Sequence, residues 1–168
     1  MDQSSGSSGH QEAVSWPEFR TRMPDMAAAG QALLYQFGVG LGYLATVRPD
    51  GGPRLHPMCP VINDEGLFAL IVPSPKRNDL IRDGRFALHA FPTDSNEDAF
   101  YVTGHAHLIE EAATRERIVS QFVAERGNMD PARVADELPF EFFLDACLLT
   151  RTTGHGDWNP QHTVWRAT

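Results

Sequence analysis

Two turn signals, Pro49-Asp50-Gly51-Gly52 and Asn63-Asp64-Glu65-Gly66, stand close together between runs of apolar residues. A chain that reverses so soon pairs its neighbouring segments antiparallel, because a parallel pair needs a crossover of about a dozen residues or more. The runs around these turns, 41–47, 54–62 and 67–72, read as three consecutive strands. Pro57 and Pro60 mark the second of them as an edge or bulged strand, since proline cannot donate to a ladder.

The same punctuation continues along the chain. A short helix is expected over 75–82, with Leu80 and Ile81 facing inward, then a strand over 85–91 and a long strand over 100–109. A helix starts near Glu111 or Ala112, carries Ile118, Val119, Phe122 and Val123 as its apolar stripe, and stops at Gly127. A further short helix is expected over 131–137, a strand over 142–152 and a terminal strand over 163–166. At the N-terminal end, Ser15 and Glu18 form a capping-box pattern with Pro17 in the first turn. A second helical stretch runs from Ala27 towards Phe37 and stops at Gly38. Six or seven strands joined mostly by hairpins, with one crossover helix, predict a mainly β fold: a small antiparallel, Greek-key-like barrel with flanking helices. No Gly-x-Gly-x-x-Gly and no βαβα alternation occur, which argues against a Rossmann domain.

Residues 1–14 contain Ser4-Ser5-Gly6-Ser7-Ser8-Gly9 and read as a disordered tail or linker. Residues 15–168 suit one domain. The net charge of −8 disfavours generic binding to nucleic acid or to anionic membranes, so any basic site must be local. Cys59 and Cys147 suggest no disulfide framework, and no secretory signal is evident; the expected location is the cytoplasm.

Within this acidic chain the 14 basic side chains include a single lysine, Lys76, in Ser74-Pro75-Lys76-Arg77. An ammonium at a helix start suits a phosphate, because the free N–H groups there point the same way. Ser74 fits the N-cap and Pro75 the first helical position. In a meander the segment Arg54-Leu55-His56-Pro57-Met58 lies nearby, so Arg54 could join Lys76 and Arg77 around one anion. Other constellations are less specific. His105 and His107 share one strand face but lack an evident third metal ligand, unless His89 supplies it, and read as solvent-facing. Nothing basic in the sequence adjoins either cysteine, so both read as structural thiols. Trp158, Trp165 and Arg166 could cover a flat ring ligand; Trp165 reads equally well as core.

The order of these motifs resembles the pyridoxamine 5′-phosphate oxidase-like, FMN-binding split-barrel family, over roughly residues 31–109. Leu44-Ala45-Thr46-Val47-Arg48-Pro49-Asp50-Gly51 is similar to the family's first hairpin, and Pro53-Arg54-Leu55-His56-Pro57 to its return strand. Ser74 through Leu80, then Asp83-Gly84-Arg85-Phe86-Ala87-Leu88, resembles its Ser-x-Lys-x-x-x-Leu stretch; Val164-Trp165-Arg166 adds support. The resemblance implies a six-stranded split barrel, a homodimer with cofactor sites at the interface, and flavin-dependent oxidoreductase activity. It implies that Arg54, Ser74, Lys76 and, more weakly, Arg77 hold the FMN phosphate. Leu55, His56, Pro57, Met58, Leu70, Ile71 and Val72 would line the ring system and ribityl chain, and Trp165 and Arg166 would close the site. Pro75 stands where the true oxidase has a second arginine, which argues against vitamin B6 oxidation. Relatives of this kind also use a deazaflavin or bind haem, and these are the alternative cofactors.

Overall fold

The computed structural model describes residues 12–168. In chain order its elements are α1 (Trp16–Arg22), α2 (Pro24–Leu34), β1 (Gly42–Val47), β2 (Pro53–Met58), β3 (Pro60–Ile62) and β4 (Leu67–Ile71). Then come α3 (Pro75–Arg82), β5 (Arg85–Ala90), β6 (Ala99–Leu108), α4 (Ala112–Glu125), a 3-10 turn at Pro131–Val134, β7 (Leu138–Arg151) and β8 (Gln161–Arg166). All pairings are antiparallel, in the order β2-β1-β5-β6-β7-β4-β3, with β8 also on β7. The sheet therefore has eight strands among the described residues, not six.

Beyond the seven strands read from the sequence, the eighth arises where the sequence predicts one strand over 54–62. Cys59 interrupts it, and the two halves lie at opposite edges of the sheet. Consecutive strands can occupy opposite edges only if the sheet curls until those edges meet. Gly40 lies at this closure: a Cβ there would sit 1.9 Å from the Pro60 carbonyl oxygen. The edge groups of β3 are taken up by side chains. The Ile62 N–H donates to Tyr35 Oη at 2.9 Å, and Gln121 Nε2 donates to the Ile62 carbonyl at 3.0 Å. Such side-chain cover protects a strand edge from pairing with another chain.

β7 begins before the expected position, at Leu138, because 138–141 pairs with β4 despite Pro139. Its second half pairs with β8, while β6 spans nearly its whole length. A bulge at Asp145 interrupts the β6–β7 register, with Thr103 opposite Ala146 and Gly104 opposite Leu144. The inner face of the sheet, including Leu44, Leu88, Val102 and Leu144, packs with Trp16, Phe19 and Leu34 from α1 and α2. On the other side of β3 and β4, Val61, Phe68 and Leu70 pack against Ile118 and Phe122 of α4. Burying one such aliphatic or aromatic side chain stabilises by about 1.5–3 kcal/mol.

Local signals hold at most element ends. Ser15 Oγ accepts the Glu18 N–H, as a cap should. Pro24 does not end helical structure; it opens α2. The expected tail over 1–14 falls mostly outside the described residues; at its end, Val14 is buried and pairs with Leu144. The expected helix over 131–137 is reduced to the 3-10 turn. No helix among the described residues is long and apolar enough to cross a membrane.

Gly104 tests the bulge. A Cβ there would lie 1.8 Å from the Phe143 carbonyl oxygen, a backbone atom that can move only with the strand. Gly104→Ala should destabilise the fold by about 1–3 kcal/mol, the range for overpacking, as read by chemical denaturation.

Candidate functional site at the β2–α3 corner

The corner between edge strand β2 and helix α3 carries most of the basic residues singled out by the sequence. Lys76 sits in the first turn of α3, half-buried, and its Nζ donates to the Pro57 carbonyl of β2 at 3.1 Å. No carboxylate among the described residues comes within ion-pair distance of it. Burial pushes the ammonium below its ordinary pKa of 10.5, with Cys59 and Glu137 acting in the opposite sense. A partly desolvated cation of this kind gains from a bound anion.

Arg54 projects from β2 onto the same helix. Its Nε donates to Asp79 Oδ2 at 2.8 Å, and Asp79 is only 3% exposed. Thr46 Oγ1 donates to the same carboxylate oxygen at 2.9 Å, and Arg82 Nη2 lies 3.6 Å from Oδ1. Burial alone would raise the Asp79 pKa; the hydrogen bonds from Arg54 and Thr46 outweigh it and hold the carboxyl below its usual range. The Arg54 side chain is 25% exposed, and its terminal nitrogens have no protein partner among the described residues.

The other predicted ligands divide. Ser74 stands at the N-cap position, but its hydroxyl turns back to donate to the Val72 carbonyl at 2.9 Å instead of capping α3. The first-turn N–H groups of Arg77 and Asn78 are met by the Ser74 carbonyl. Arg77 points away, with Nη1 donating to the Asp136 carbonyl at 3.0 Å. Leu55, His56, Pro57 and Val72 are exposed beside the corner. Met58, Leu70 and Ile71 are core residues, so only their main chain can face a ligand. Met58 ends β2 at the closure, and β4 is buried on both faces, which withdraws its side chains. Trp165 packs on Phe19 with ring centroids 4.9 Å apart, and Arg166 is exposed. Both lie on β8, which pairs with β7, whereas the corner is built from β2, β1 and α3.

A large apolar surface adjoins the corner. Cross-strand neighbours on the outer face run Leu55, Ala45, Ala87, Thr103, Ala146, Arg166 in one row and Pro57, Tyr43, His89, Tyr101, Leu148, Val164 in the next. Leu55 is 63% exposed and Val164 57%. These rows contain no carboxylate and no lysine. An open groove of about 750 Å³ lies elsewhere, along β6 and β7, and is lined by His105, His107, Phe143 and the carboxylates of Glu12, Glu141 and Asp145. Its charge is wrong for a phosphate, which leaves the corner as the candidate anion site. His105 and His107 share the outward face as expected, with His105 Nδ1 3.4 Å from Asp145 Oδ2. Cys147 is buried, which pushes its thiol pKa up and makes it inert; Cys59 is half-buried.

Thr46, and the burial of Asp79 as its partner, are what sequence reasoning missed at this site. The available signal was a polar residue at an inward strand position and a carboxylate one helical turn after Lys76.

No protein-family model matches the chain. No curated protein sequence matches it either. Solved structures do resemble it. A heme binding protein from Mycobacterium smegmatis superposes with a TM-score of 0.59 at 16% identity, over 83% of this chain and 58% of that one. HutZ, the heme storage protein from Vibrio cholerae, gives 0.58 at 17% identity, over 73% and 89%. A Clostridium acetobutylicum protein related to a general stress protein, of the pyridoxinephosphate oxidase family, gives 0.55 at 11% identity, over 89% and 95%. What is shared at such identities is the fold: the split barrel of the pyridoxamine 5′-phosphate oxidase-like proteins.

The Asp79 carboxyl supplies a pH test. Its folded pKa lies below the ordinary 3.8, so its contribution to stability is present above that value and lost as pH falls through the lower folded value. Asp79→Asn should flatten the loss of stability as pH falls below the ordinary carboxylate value of 3.8, measured by urea denaturation at stepped pH.

Proposed function

We propose that this protein is a homodimeric FMN-binding oxidoreductase, with each cofactor seated where the β2–α3 corner of one copy meets the outer face of the other. The observation that carries this reading is the pair of cations at the corner. Lys76, the chain's single lysine, is half-buried without a carboxylate partner among the described residues, and the Arg54 fork beside it has its terminal N–H groups unused. Two cations at one corner of this kind fit a phosphate: the arginine bidentate, the lysine as a compact charge.

The residues nearby fit the rest of the group. Leu55, Pro57 and Val72 offer apolar surface for a flat ring, His56 a polar edge, and main-chain groups of β2 and β4 hydrogen bonds to the polyol. Ser74 would join the phosphate only by turning its hydroxyl away from Val72. FMN, when bound, supplies hydride or single-electron transfer. The protein's own part is to anchor the phosphate, orient the ring and exclude water.

The uncovered face supports the dimer. Largely apolar rows, ending at Arg166 and Val164 on β8 and with no helix among the described residues laid over them, favour burial against a second copy. A two-fold arrangement that lays β8 of one copy over the β2 edge of the other would let Arg166, at the end of the outer row, close the partner's site, while Trp165 stays on Phe19 at the inner side.

A haem-binding reading is favoured by one further observation, the outward His105 and His107 in the β6–β7 groove, alongside solved relatives described as binding or storing heme. The three carboxylates of that groove oppose haem propionates, which ranks this reading second. The spectrum of the purified protein separates the cases. Flavin bands released on denaturation support FMN, a Soret band supports haem, and a colourless protein that binds only a deazaflavin overturns FMN.

Lys76→Ala should weaken FMN binding by about 1–3 kcal/mol, the range for a lost charge-assisted bond. Unchanged affinity on titration removes Lys76 from the site. Ala87→Glu, at the centre of the outer face, should yield a monomer by light scattering and lower flavin affinity with it. A dimer that persists in this variant relocates the interface.

A further inference from the structure

We infer that Asp79 is a positioning residue for anion binding: with Thr46 it clamps Arg54 by Nε, so that the terminal guanidinium edge faces the ligand in register with Lys76. This rests on the flavin reading above and extends it to two residues that touch no ligand themselves.

The argument begins with the arginine. A guanidinium offers five N–H donors in a rigid planar fork. Asp79 Oδ2 accepts the Nε proton at 2.8 Å, which leaves the four terminal N–H groups for one bidentate partner. A lysine would serve equally well as a mere strut to the carboxylate but would leave no second edge. The clamp itself is fixed from two sides. The Thr46 hydroxyl of β1 donates to the same oxygen at 2.9 Å, and Arg82 Nη2 lies 3.6 Å from the other oxygen. At 3% exposure the carboxylate has little water to exchange these partners for.

The helix sets the register. Asp79 lies three residues after Lys76 on α3, so the two share a side of the helix about one turn apart. The helix that presents the lysine thereby also aims the arginine of a different strand. Without Asp79, the Arg54 side chain, on an exposed edge strand, is free to turn into solvent, and ordering it would oppose binding.

The test compares FMN with riboflavin, which lacks the phosphate. Wild-type protein should prefer FMN. Asp79→Ala should lower FMN affinity about tenfold and leave riboflavin affinity unchanged, the scale of one charge-assisted contact. Asp79→Asn, which keeps an oxygen to accept the Nε proton, should retain more of the preference than Asp79→Ala. In an Arg54→Ala background, Asp79→Ala should change the FMN-to-riboflavin ratio no further. Thermal melting checks that each variant folds. If Asp79→Ala does not, Thr46→Val, which removes one anchor and keeps the shape, should still reduce the ratio. Equal loss of both flavins, an unchanged ratio, or an additive effect in the Arg54→Ala background would each overturn the positioning role. Wild-type protein that binds neither flavin would overturn the flavin reading itself, a result distinct from a wild-type preference that survives loss of Asp79.

Discussion

The architecture depends on a single-residue passage. β2 and β3 are separated in sequence by Cys59 alone, yet they form the two opposite edges of the sheet. Covalent continuity thus forces the sheet to curl until its edges meet, which a flat sheet in this strand order could not do. The groups at the meeting point are correspondingly crowded: Gly40 against the Pro60 carbonyl, and Tyr35 and Gln121 on the two main-chain groups of Ile62. Curling also encloses the inner face around Trp16, Phe19 and Leu34, so one geometric requirement yields both the barrel and its core.

The same closure places chemistry. β2 reaches the sheet edge just before the passage, and α3 follows β4 just after it, so two segments on either side of Cys59 meet as a corner. Arg54, Thr46, Asp79 and Lys76 come from β2, β1 and α3. The buried carboxylate costs desolvation, which its hydrogen bonds to Arg54 and Thr46 offset. Removing one partner of such a pair would leave the other uncompensated, so the corner holds together as a unit. Its positive charge is local, confined to a few groups in a chain of net charge −8.

Helices cover the sheet unevenly. α1 and α2 pack on the inner face and α4 on β3 and β4, while the outer face from β2 across to β8 carries alanines, tyrosines, Leu55, Leu148, Val164 and Arg166, with no layer above them among the described residues. The alternation that sends Leu44, Leu88 and Val102 inward sends these residues outward. A face of this composition beside an anion corner links assembly and ligand binding in the proposed function, because each copy would complete the other's site.

Much of the fold was legible in consecutive residues. Period-two apolar runs, the turns at Asp50-Gly51 and Asn63-Glu65, the Ser15 cap and the stripe of α4 are local patterns, and each corresponds to an element close to its expected bounds. Lys76 and Arg54 were also legible, one by its solitude and both by the family pattern. What the sequence left undecided depends on residues far apart in the chain. The division of 54–62 at Cys59 follows from sheet closure, and the start of β7 at Leu138 from a partner, β4, far earlier in sequence. Ser74 turns to Val72 and Arg77 to Asp136 because main-chain acceptors happen to lie there. Met58 is withdrawn into the core because it ends β2 at the closure, and Leu70 and Ile71 because β4 is covered on both faces. The Asp79 clamp on Arg54 joins side chains that no periodicity connects. Sequence by itself marked most of the strand segments and the two cations that the proposed phosphate site would use. Only the tertiary structure decided which side chains converge there, because convergence depends on closing the sheet rather than on any run of neighbouring residues.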